Sequence, residues 1–170
     1  MTKAIFLNNS EQQIERVYAL GRRQRIAALC DLYPHIVSRD EAAKHAKALR
    51  EAEAVFTTWG MPKVDDALLD LMPKVRIVLY AAGSVQAFAR QMIDRDIIVV
   101  SGWGANGFVV AEYTVSQILL ANKGFFRNVR DCATPQGRAD KPFRGKGNLG
   151  ETVALLGAGA DPSIRTREVD

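Results

Sequence analysis

The sequence has few of the residues that build disulfide frameworks, metal sites or imidazole-based active sites. Only two of its 170 residues are cysteines, and only two are histidines. Cys30 and Cys132 stand far apart, which excludes a disulfide scaffold and a zinc site, so we expect two free thiols and no bound metal. His35 lies in a weak strand pattern and His45 in a polar stretch rich in alanine and lysine. We expect both histidines to be structural or to lie on the surface.

Long apolar runs are also missing. No run approaches the roughly 18 residues that a membrane span needs, and the amino-terminal segment turns polar too early for a secretory signal. We therefore expect a cytoplasmic protein with no membrane partner. The hydrophobic fraction of 48% still allows a sizeable buried core, and 170 residues suit one domain or one domain plus part of a second.

The net charge of +4 raises the question of an anionic partner. Basic residues gather in two stretches, 16–25 and 138–146. Neither stretch shows a nucleic-acid recognition motif or interleaved aromatic residues, so we expect no nucleic-acid partner. A solvated surface is the simpler interpretation, with a modest attraction for an anionic cofactor or substrate.

Strand-like and helix-like patterns alternate through the first hundred residues. β-Prone or apolar runs predict strands at residues 4–7, 35–37, 54–58, 75–80 and 97–100. Helices are predicted between them, and two of these begin with capping-box patterns at Ser10 and Ser38. Such alternation builds a parallel sheet covered on both faces by helices. The predicted fold class is therefore α/β, with a five-stranded, doubly wound, flavodoxin-like sheet.

The second half begins with the longest predicted helix, residues 109–125. This helix carries so few charges that we expect most of its surface to be buried. Residues 127–150 are rich in glycine, proline and charge, and are predicted to form a loop. A last strand is predicted at residues 152–156. The final residues, 161–170, are almost all polar and show no amphipathic pattern.

Three glycine-containing loops follow predicted strands, and ligands of open parallel sheets bind at such strand ends. In Ala81-Ala82-Gly83-Ser84, glycine would let a carboxylate reach backbone N–H groups, although an ordinary tight turn has the same pattern. In the loop 101–107, Asn106 would either cap the long helix or point its amide at a substrate. The third loop, Gly157-Ala158-Gly159, is the start of a dinucleotide fingerprint.

Together these loops resemble those of the D-isomer-specific 2-hydroxyacid dehydrogenases, the family of glycerate, phosphoglycerate and formate dehydrogenases. The likeness covers roughly residues 1–160. It rests on Asn106-x-x-x-Val110-Ala111-Glu112 at the start of the long helix and, after a variable loop, on Leu149-Gly150-Glu151-Thr152-Val153 and the two glycines. It implies a flavodoxin-like catalytic domain over residues 1–105 and, over 106–160, the first helix and strand of an incomplete NAD-binding Rossmann domain.

The resemblance implies a substrate site. Ala82 and Gly83 match the loop whose backbone meets the substrate carboxylate, and Asn106 matches a position that lines the active site. The family usually has an aspartate where this chain has Val85, which marks a departure close to the substrate. The implied substrate is a small 2-hydroxy or 2-oxo acid.

The resemblance also implies a cofactor and an assembly. Val110 matches a position near the nicotinamide, and Gly157 and Gly159 match the turn that binds the pyrophosphate. The implied reaction is oxidation of the CH–OH group of a 2-hydroxy acid with NAD or NADP as acceptor. The family also implies a homodimer in which the long helix, residues 109–125, takes part.

After Gly159 the sequence departs from the family and runs into an aberrant polar tail, residues 161–170. The family's catalytic Arg, Glu and His lie downstream of these glycines and are missing from the sequence. Hydride transfer to a 2-oxo acid needs a cation for the carboxylate and an acid for the developing alkoxide. We therefore expect a truncated chain that is inactive alone, from a truncated, recombined or frameshifted reading frame. Downstream DNA with no Rossmann remainder in any frame would count against this hypothesis.

Two other functions fit the same fold class. A non-catalytic flavodoxin-like binding or dimerisation module would keep residues 1–105 folded and pair through the long helix, and would bind no dinucleotide. A receiver-like phosphorylation domain would need an acidic pocket at the strand ends, where only Asp31 is nearby. Acid-labile phosphorylation would support that third function.

Overall fold

The computed structural model describes residues 1–140 and 142–155. The chain divides into two compact units, the first spanning Met1–Val109 and the second beginning at Val110. None of the helices in the described ranges has both the length and the apolar character that crossing a bilayer requires.

The described elements of the first unit alternate between strand and helix, except that two helices lie between the first and second strands. The strands are β1 (Lys3–Leu7), β2 (Asp31–Val37), β3 (Ala54–Thr57), β4 (Ile77–Tyr80) and β5 (Ile98–Ser101). The helices are α1 (Glu11–Val17), α2 (Arg22–Ala27), α3 (Ala46–Glu51), α4 (Asp66–Asp70), α5 (Ala89–Ile93), α6 (Trp103–Asn122), α7 (Phe125–Asp131) and α8 (Pro135–Ala139).

The five strands form one parallel sheet in the order β2-β1-β3-β4-β5. This is the flavodoxin-like doubly wound order, so the predicted fold class is confirmed. Because all the strands run the same way, their carboxyl ends meet at one edge of the sheet. The loops after β3, β4 and β5 are therefore neighbours at that edge.

Alternating side chains of β1 divide the core between the two faces of the sheet. Ile5 and Leu7 belong to a large cluster that also holds the buried leucines of α3 and α4. Phe6 points to the other face, where its ring packs edge-on against Tyr18, with 4.8 Å between ring centroids. Both faces of β1 are therefore buried, which explains its unbroken apolar sequence from Ala4 to Leu7.

The capping pattern at Ser10 is confirmed in part. Ser10 precedes α1, and its hydroxyl accepts a hydrogen bond from the Gln13 N–H at 3.3 Å. The return bond of a capping box is missing, because the Ser10 N–H donates to Asn8 Oδ1 at 2.8 Å. The start of α1 is thereby fixed to the carboxyl end of β1.

The capping pattern at Ser38 is wrong, because turns occupy residues 39–45 and α3 begins only at Ala46. The Arg39 N–H donates to Asn9 Oδ1 at 2.9 Å, and its guanidinium pairs with Asp65 at 2.9 Å. These contacts hold the start of the segment against neighbouring loops, so the helix forms one to two turns later than its local sequence suggests.

Helix α6 differs from the prediction in two ways. It begins at Trp103, so Gly104 and Gly107 are helical and the glycine-rich loop is shorter than expected. The expectation of a mostly buried surface is wrong, since α6 has no buried residue. Apolar residues lie on all sides of this helix. Such a composition favours burial, but it does not reveal whether another part of the chain is present to cover the helix.

The rest of the second unit also departs from the prediction. The expected loop at 127–150 contains most of α7 and all of α8, which Thr134 caps by accepting a hydrogen bond from the Gly137 N–H at 3.1 Å. Residues 152–155 form no strand, because no neighbouring strand in the described part of this unit offers them backbone partners. Leu156, the last residue of the predicted strand, lies outside the described residues.

Candidate functional site

Asn8 fixes the carboxyl end of β1 to the loop that follows β3. Its side chain is buried, and its Nδ2 lies 3.3 Å from both Thr57 Oγ1 and the Thr58 carbonyl oxygen and 3.1 Å from the Trp59 carbonyl oxygen. The next residue, Gly60, has a φ of +95°, and a Cβ there would stand 2.6 Å from Asn8 Oδ1. The loop after β3 therefore depends on both an asparagine and a glycine.

The end of β3 is in turn bonded to the start of the loop after β4. The Thr58 hydroxyl donates to the Ala81 carbonyl at 3.1 Å, and the Ala81 N–H donates to the Thr57 carbonyl at 2.9 Å. The buried Tyr18 hydroxyl donates to the same Thr57 carbonyl at 2.9 Å. Burial raises the pKa of that Tyr18 hydroxyl.

The loop after β4 presents backbone donors. Within the described residues, the N–H groups of Ala82, Gly83 and Ser84 donate to no other protein atom. Ala82 is buried, whereas Gly83 is half-buried and Ser84 is exposed, so the last two N–H groups are within reach of a ligand. Successive N–H groups without a protein acceptor are the donors from which anion-binding concavities are built. We call residues 82–84 the donor loop.

Ser101, the last residue of β5, contacts the donor loop from the neighbouring strand. Its Oγ lies 3.0 Å from the Ala82 carbonyl oxygen and forms a second, short contact with the Gly83 carbonyl oxygen. The same oxygen accepts a hydrogen bond from the Trp103 N–H at 3.2 Å. Ser101 thus connects the start of α6 to the donor loop.

Asn106 lies inside the first turn of α6, where its N–H donates to the Gly102 carbonyl at 3.0 Å. It therefore does not cap the helix, which was one of the two interpretations of this residue. Its Nδ2 lies 3.4 Å from the position that a Cβ on Gly83 would occupy. The structure thus brings together Gly83 and Asn106, two of the three predicted substrate residues, and the third, Ala82, directly precedes Gly83 in the chain.

Two residues of this region were missed by reasoning from the sequence. Asn8 and Ser101 are each a polar residue at or directly after the end of an apolar strand run. In a parallel sheet such residues lie at the ligand-binding edge, and that position was the available signal.

Both tryptophans of the chain lie at the same edge. Trp59 follows β3 and Trp103 follows β5, and β4 with its donor loop lies between these two strands. The two side chains are 47% and 56% exposed. The donor loop therefore lies between two chain segments that each carry an exposed tryptophan.

The histidines and Asp31 lie elsewhere in the first unit. His35 is in β2, which β1 and β3 separate from β4. His45 precedes α3, and its Nδ1 lies 2.9 Å from the Tyr33 hydroxyl. Asp31 is the first residue of β2 and so lies at the opposite edge from the strand ends. A receiver-like acidic pocket would therefore have to form without Asp31.

A cavity of about 290 Å³ lies at the amino end of β1 and β2 rather than at the donor loop. It is lined by charges of both signs, and Lys3 and Glu51 pair with each other at 3.1 Å. These side chains neutralise each other, and none of the predicted site residues lines the cavity. We therefore place the candidate site at the donor loop, whose N–H groups have no acceptor among the described residues, and not at this cavity.

Of the three residues predicted to bind the cofactor, only Val110 lies in the described residues. It is in α6 and is 53% exposed. Gly157 and Gly159 lie outside the described residues, as does the whole polar tail. Within residues 1–140 and 142–155, no three side chains that ligate metals come together, and Cys30 and Cys132 are free thiols.

No protein-family model and no curated protein matches the chain. Among solved structures it is similar to D-lactate dehydrogenase from Aquifex aeolicus complexed with NAD and lactic acid, with 19% identity over 76% of this chain and 37% of that chain, and a TM-score of 0.52. It is also similar to 2-hydroxyacid dehydrogenase from Ketogulonicigenium vulgare, with 15% identity over 88% of this chain and 45% of that chain, and a TM-score of 0.59. The chain thus spans less than half the length of either protein. At these identities the likeness establishes a shared fold.

Proposed function

We propose that the chain belongs to a D-2-hydroxyacid dehydrogenase, in which it supplies the domain that binds the carboxylate of a 2-hydroxy or 2-oxo acid. The observation that carries this proposal is the donor loop at the end of β4, with the Asn106 amide beside Gly83. The shared fold with a D-lactate dehydrogenase that binds NAD and lactic acid supports this class of ligand.

The proposed binding mode uses neutral donors. One carboxylate oxygen accepts hydrogen bonds from the Gly83 and Ser84 N–H groups, and the other accepts from Asn106 Nδ2. Hydrogen bonds to an ionised acceptor are about twice as strong as neutral ones, so three such donors can hold a carboxylate without a cation. The exposed Trp59 and Trp103 then border the rest of the acid.

The remaining chemistry needs groups beyond this site. The family resemblance assigns NAD or NADP, whose nicotinamide would exchange a hydride with the carbon that bears the oxygen, to Val110, Gly157 and Gly159. Val110 fits such a contact because its apolar side chain is half exposed. Neither histidine lies at the ends of β4 or β5, so the described residues place no imidazole beside the bound acid. We propose that the chain alone binds the acid but does not turn it over.

Nuclear magnetic resonance on the ¹⁵N-labelled 170-residue chain tests the acid site. Lactate should shift the amide signals of Gly83 and Ser84 saturably, whereas lactamide, which has no negative charge, should not. Asn106→Asp, which replaces the amide donor by a carboxylate of the same shape, should abolish the shifts. Equal shifts with lactamide, or none with lactate at millimolar concentrations, would contradict the proposal.

A titration with NADH, followed by nicotinamide fluorescence, tests the cofactor. A full-length D-lactate dehydrogenase is the positive control. Saturable binding at micromolar NADH would support a cofactor half-site formed by residues 106–160. No binding to a folded, monodisperse sample would favour the second candidate, a non-catalytic flavodoxin-like binding or dimerisation module.

One observation favours that second candidate. Helix α6 has no buried residue, although it carries exposed large apolar side chains at Phe108, Val109, Val110, Tyr113 and Val115. Large exposed apolar side chains that are concentrated in one helix are typical of an interaction site. We propose a homodimer that pairs through residues 109–125, an assembly compatible with either function.

A further inference from the structure

We propose that Ser101 is a positioning residue, which holds the donor loop so that the N–H groups of Gly83 and Ser84 face a bound carboxylate. This inference rests on the proposed function and deepens it. Ser101 itself does not touch the acid, and it acts through the backbone of the donor loop.

The planar peptide bond couples the direction of a carbonyl to that of the following N–H group. In a trans peptide, the carbonyl of one residue and the N–H of the next lie in one plane and point in opposite directions. A contact that fixes the Ala82 carbonyl therefore fixes the direction of the Gly83 N–H. A contact that fixes the Gly83 carbonyl fixes the direction of the Ser84 N–H in the same way.

Ser101 makes both of these contacts with one atom. Its Oγ lies within hydrogen-bonding distance of the carbonyl oxygens of Ala82 and Gly83. The N–H groups of Gly83 and Ser84 consequently point away from Ser101, and they are two of the N–H groups that have no protein acceptor within the described residues. One hydroxyl behind the loop thus orients two donors in front of it.

The Ser101 hydroxyl is itself held in place. It accepts a hydrogen bond from the Trp103 N–H at 3.2 Å, which occupies one of its lone pairs. Its single proton is therefore available to the two loop carbonyls. The backbone of Ser101 is fixed as well, because it pairs in register with Tyr80, two residues before the donor loop.

The test compares Ser101→Ala with the wild-type full-length chain. Removing the hydroxyl should weaken lactate binding about tenfold, the size of effect that loss of one hydrogen bond gives. Without any ligand, it should also lower the backbone order parameters of Gly83 and Ser84 below the value of about 0.85 that is typical of rigid backbone. Ser101→Thr keeps the hydroxyl and should restore both properties.

Ser116→Ala is the matched control, because the Ser116 hydroxyl contacts only the Glu112 carbonyl, within α6. It should change neither lactate affinity nor the order of the donor loop. If Ser101→Ala does not fold, Ser101→Cys serves instead, since its thiol is nearly the same size but a weak donor. The same losses are expected for it.

The outcomes separate the inference from the proposed function. A Ser101→Ala chain that binds lactate like the wild type, with an equally ordered loop, would overturn the inference alone. So would a failure of Ser101→Thr to restore binding. A wild-type chain that binds no lactate would overturn the proposed acid site. The loop order parameters would then still decide whether Ser101 orients the backbone.

Discussion

The side-chain amide of Asn106 lies against Gly83, with Nδ2 3.4 Å from the point where a Cβ on Gly83 would stand. The contact joins the first turn of α6 to the loop after β4, two segments that are 23 positions apart in the sequence. It is an ordinary van der Waals distance, so a methyl group there would touch the amide without preventing folding. Gly83 therefore offers a direct way to perturb the candidate site.

Gly83→Ala should weaken lactate binding about tenfold and leave the fold intact. The added methyl would lie in van der Waals contact with the Asn106 amide, beside the donors that the proposed binding mode assigns to the carboxylate, and would crowd the bound acid. Gly107→Ala is the control, because it is helical with no atom within 4 Å of its Cβ position. That control should keep wild-type affinity and gain about 1 kcal/mol of stability. Wild-type affinity in Gly83→Ala would argue against this geometry.

Gly60→Ala should destabilise the first unit by about 2–4 kcal/mol. The substitution combines a left-handed backbone, which costs an alanine about 1–2 kcal/mol, with a contact of 2.6 Å to the buried Asn8 Oδ1. Gly21→Ala is matched for backbone, since Gly21 has a φ of +77° but nothing within 4 Å. Urea unfolding of both variants should therefore show the larger loss for Gly60→Ala. Equal losses would show that the Asn8 contact contributes nothing.

Stability should fall above about pH 10 because of Tyr18. Burial raises the pKa of its hydroxyl, so the folded chain holds this proton more tightly than the unfolded chain, in which tyrosine has a pKa of about 10. The resulting stability is complete below pH 10 and is lost as the pH rises toward the folded pKa.

Tyr18→Phe should reduce this alkaline loss. Removing the bond to Thr57 should cost about 1 kcal/mol at neutral pH. Tyr113→Phe, at an exposed position in α6, should leave the alkaline loss unchanged. Thermal unfolding between pH 8 and pH 11 provides the measurement, with the pH range chosen to bracket the ordinary tyrosine pKa. Identical pH profiles for Tyr18→Phe and the wild type would contradict the assignment to Tyr18.

The chain should associate through α6, and a charge on this helix should weaken the association. Val115→Glu places a carboxylate among exposed apolar side chains and should raise the dimer dissociation constant at least about tenfold, because burying an unpaired charge is costly. Leu29→Glu makes the same change at an exposed leucine of the first unit and should have no effect. Sedimentation of both variants over a range of concentrations tests this. A monomeric wild type would exclude the homodimer.

The fold could be predicted from the sequence because buried parallel strands have continuous apolar runs. The strand β2 was predicted too short, over residues 35–37 only, since Asp31 and Pro34 interrupt the apolar pattern of its first half. It is an edge strand, where one side of the backbone has no ladder and a proline is tolerated. Periodicity alone does not distinguish such a strand from a loop.

Part of the candidate site could also be predicted from the sequence, but for a different reason. The positions of Gly83 and Asn106 after predicted strands indicated that they belong to a site, and the family resemblance implied what each of them binds. The contribution of Ser101 depends on which carbonyls its hydroxyl reaches across two strands. Contacts of that kind are set by sheet register, which the sequence of β5 alone does not reveal.

The position of the two tryptophans determines what intrinsic fluorescence can report for this chain. Both indoles lie at the carboxyl-end edge of the sheet, on either side of β4, so emission monitors that edge and not the core beneath α3 and α4. A fluorescence melt that precedes the circular-dichroism melt would reveal local opening of the strand-end loops before global unfolding. The same emission gives stopped-flow experiments a built-in signal for the arrival of a ligand, without any attached dye.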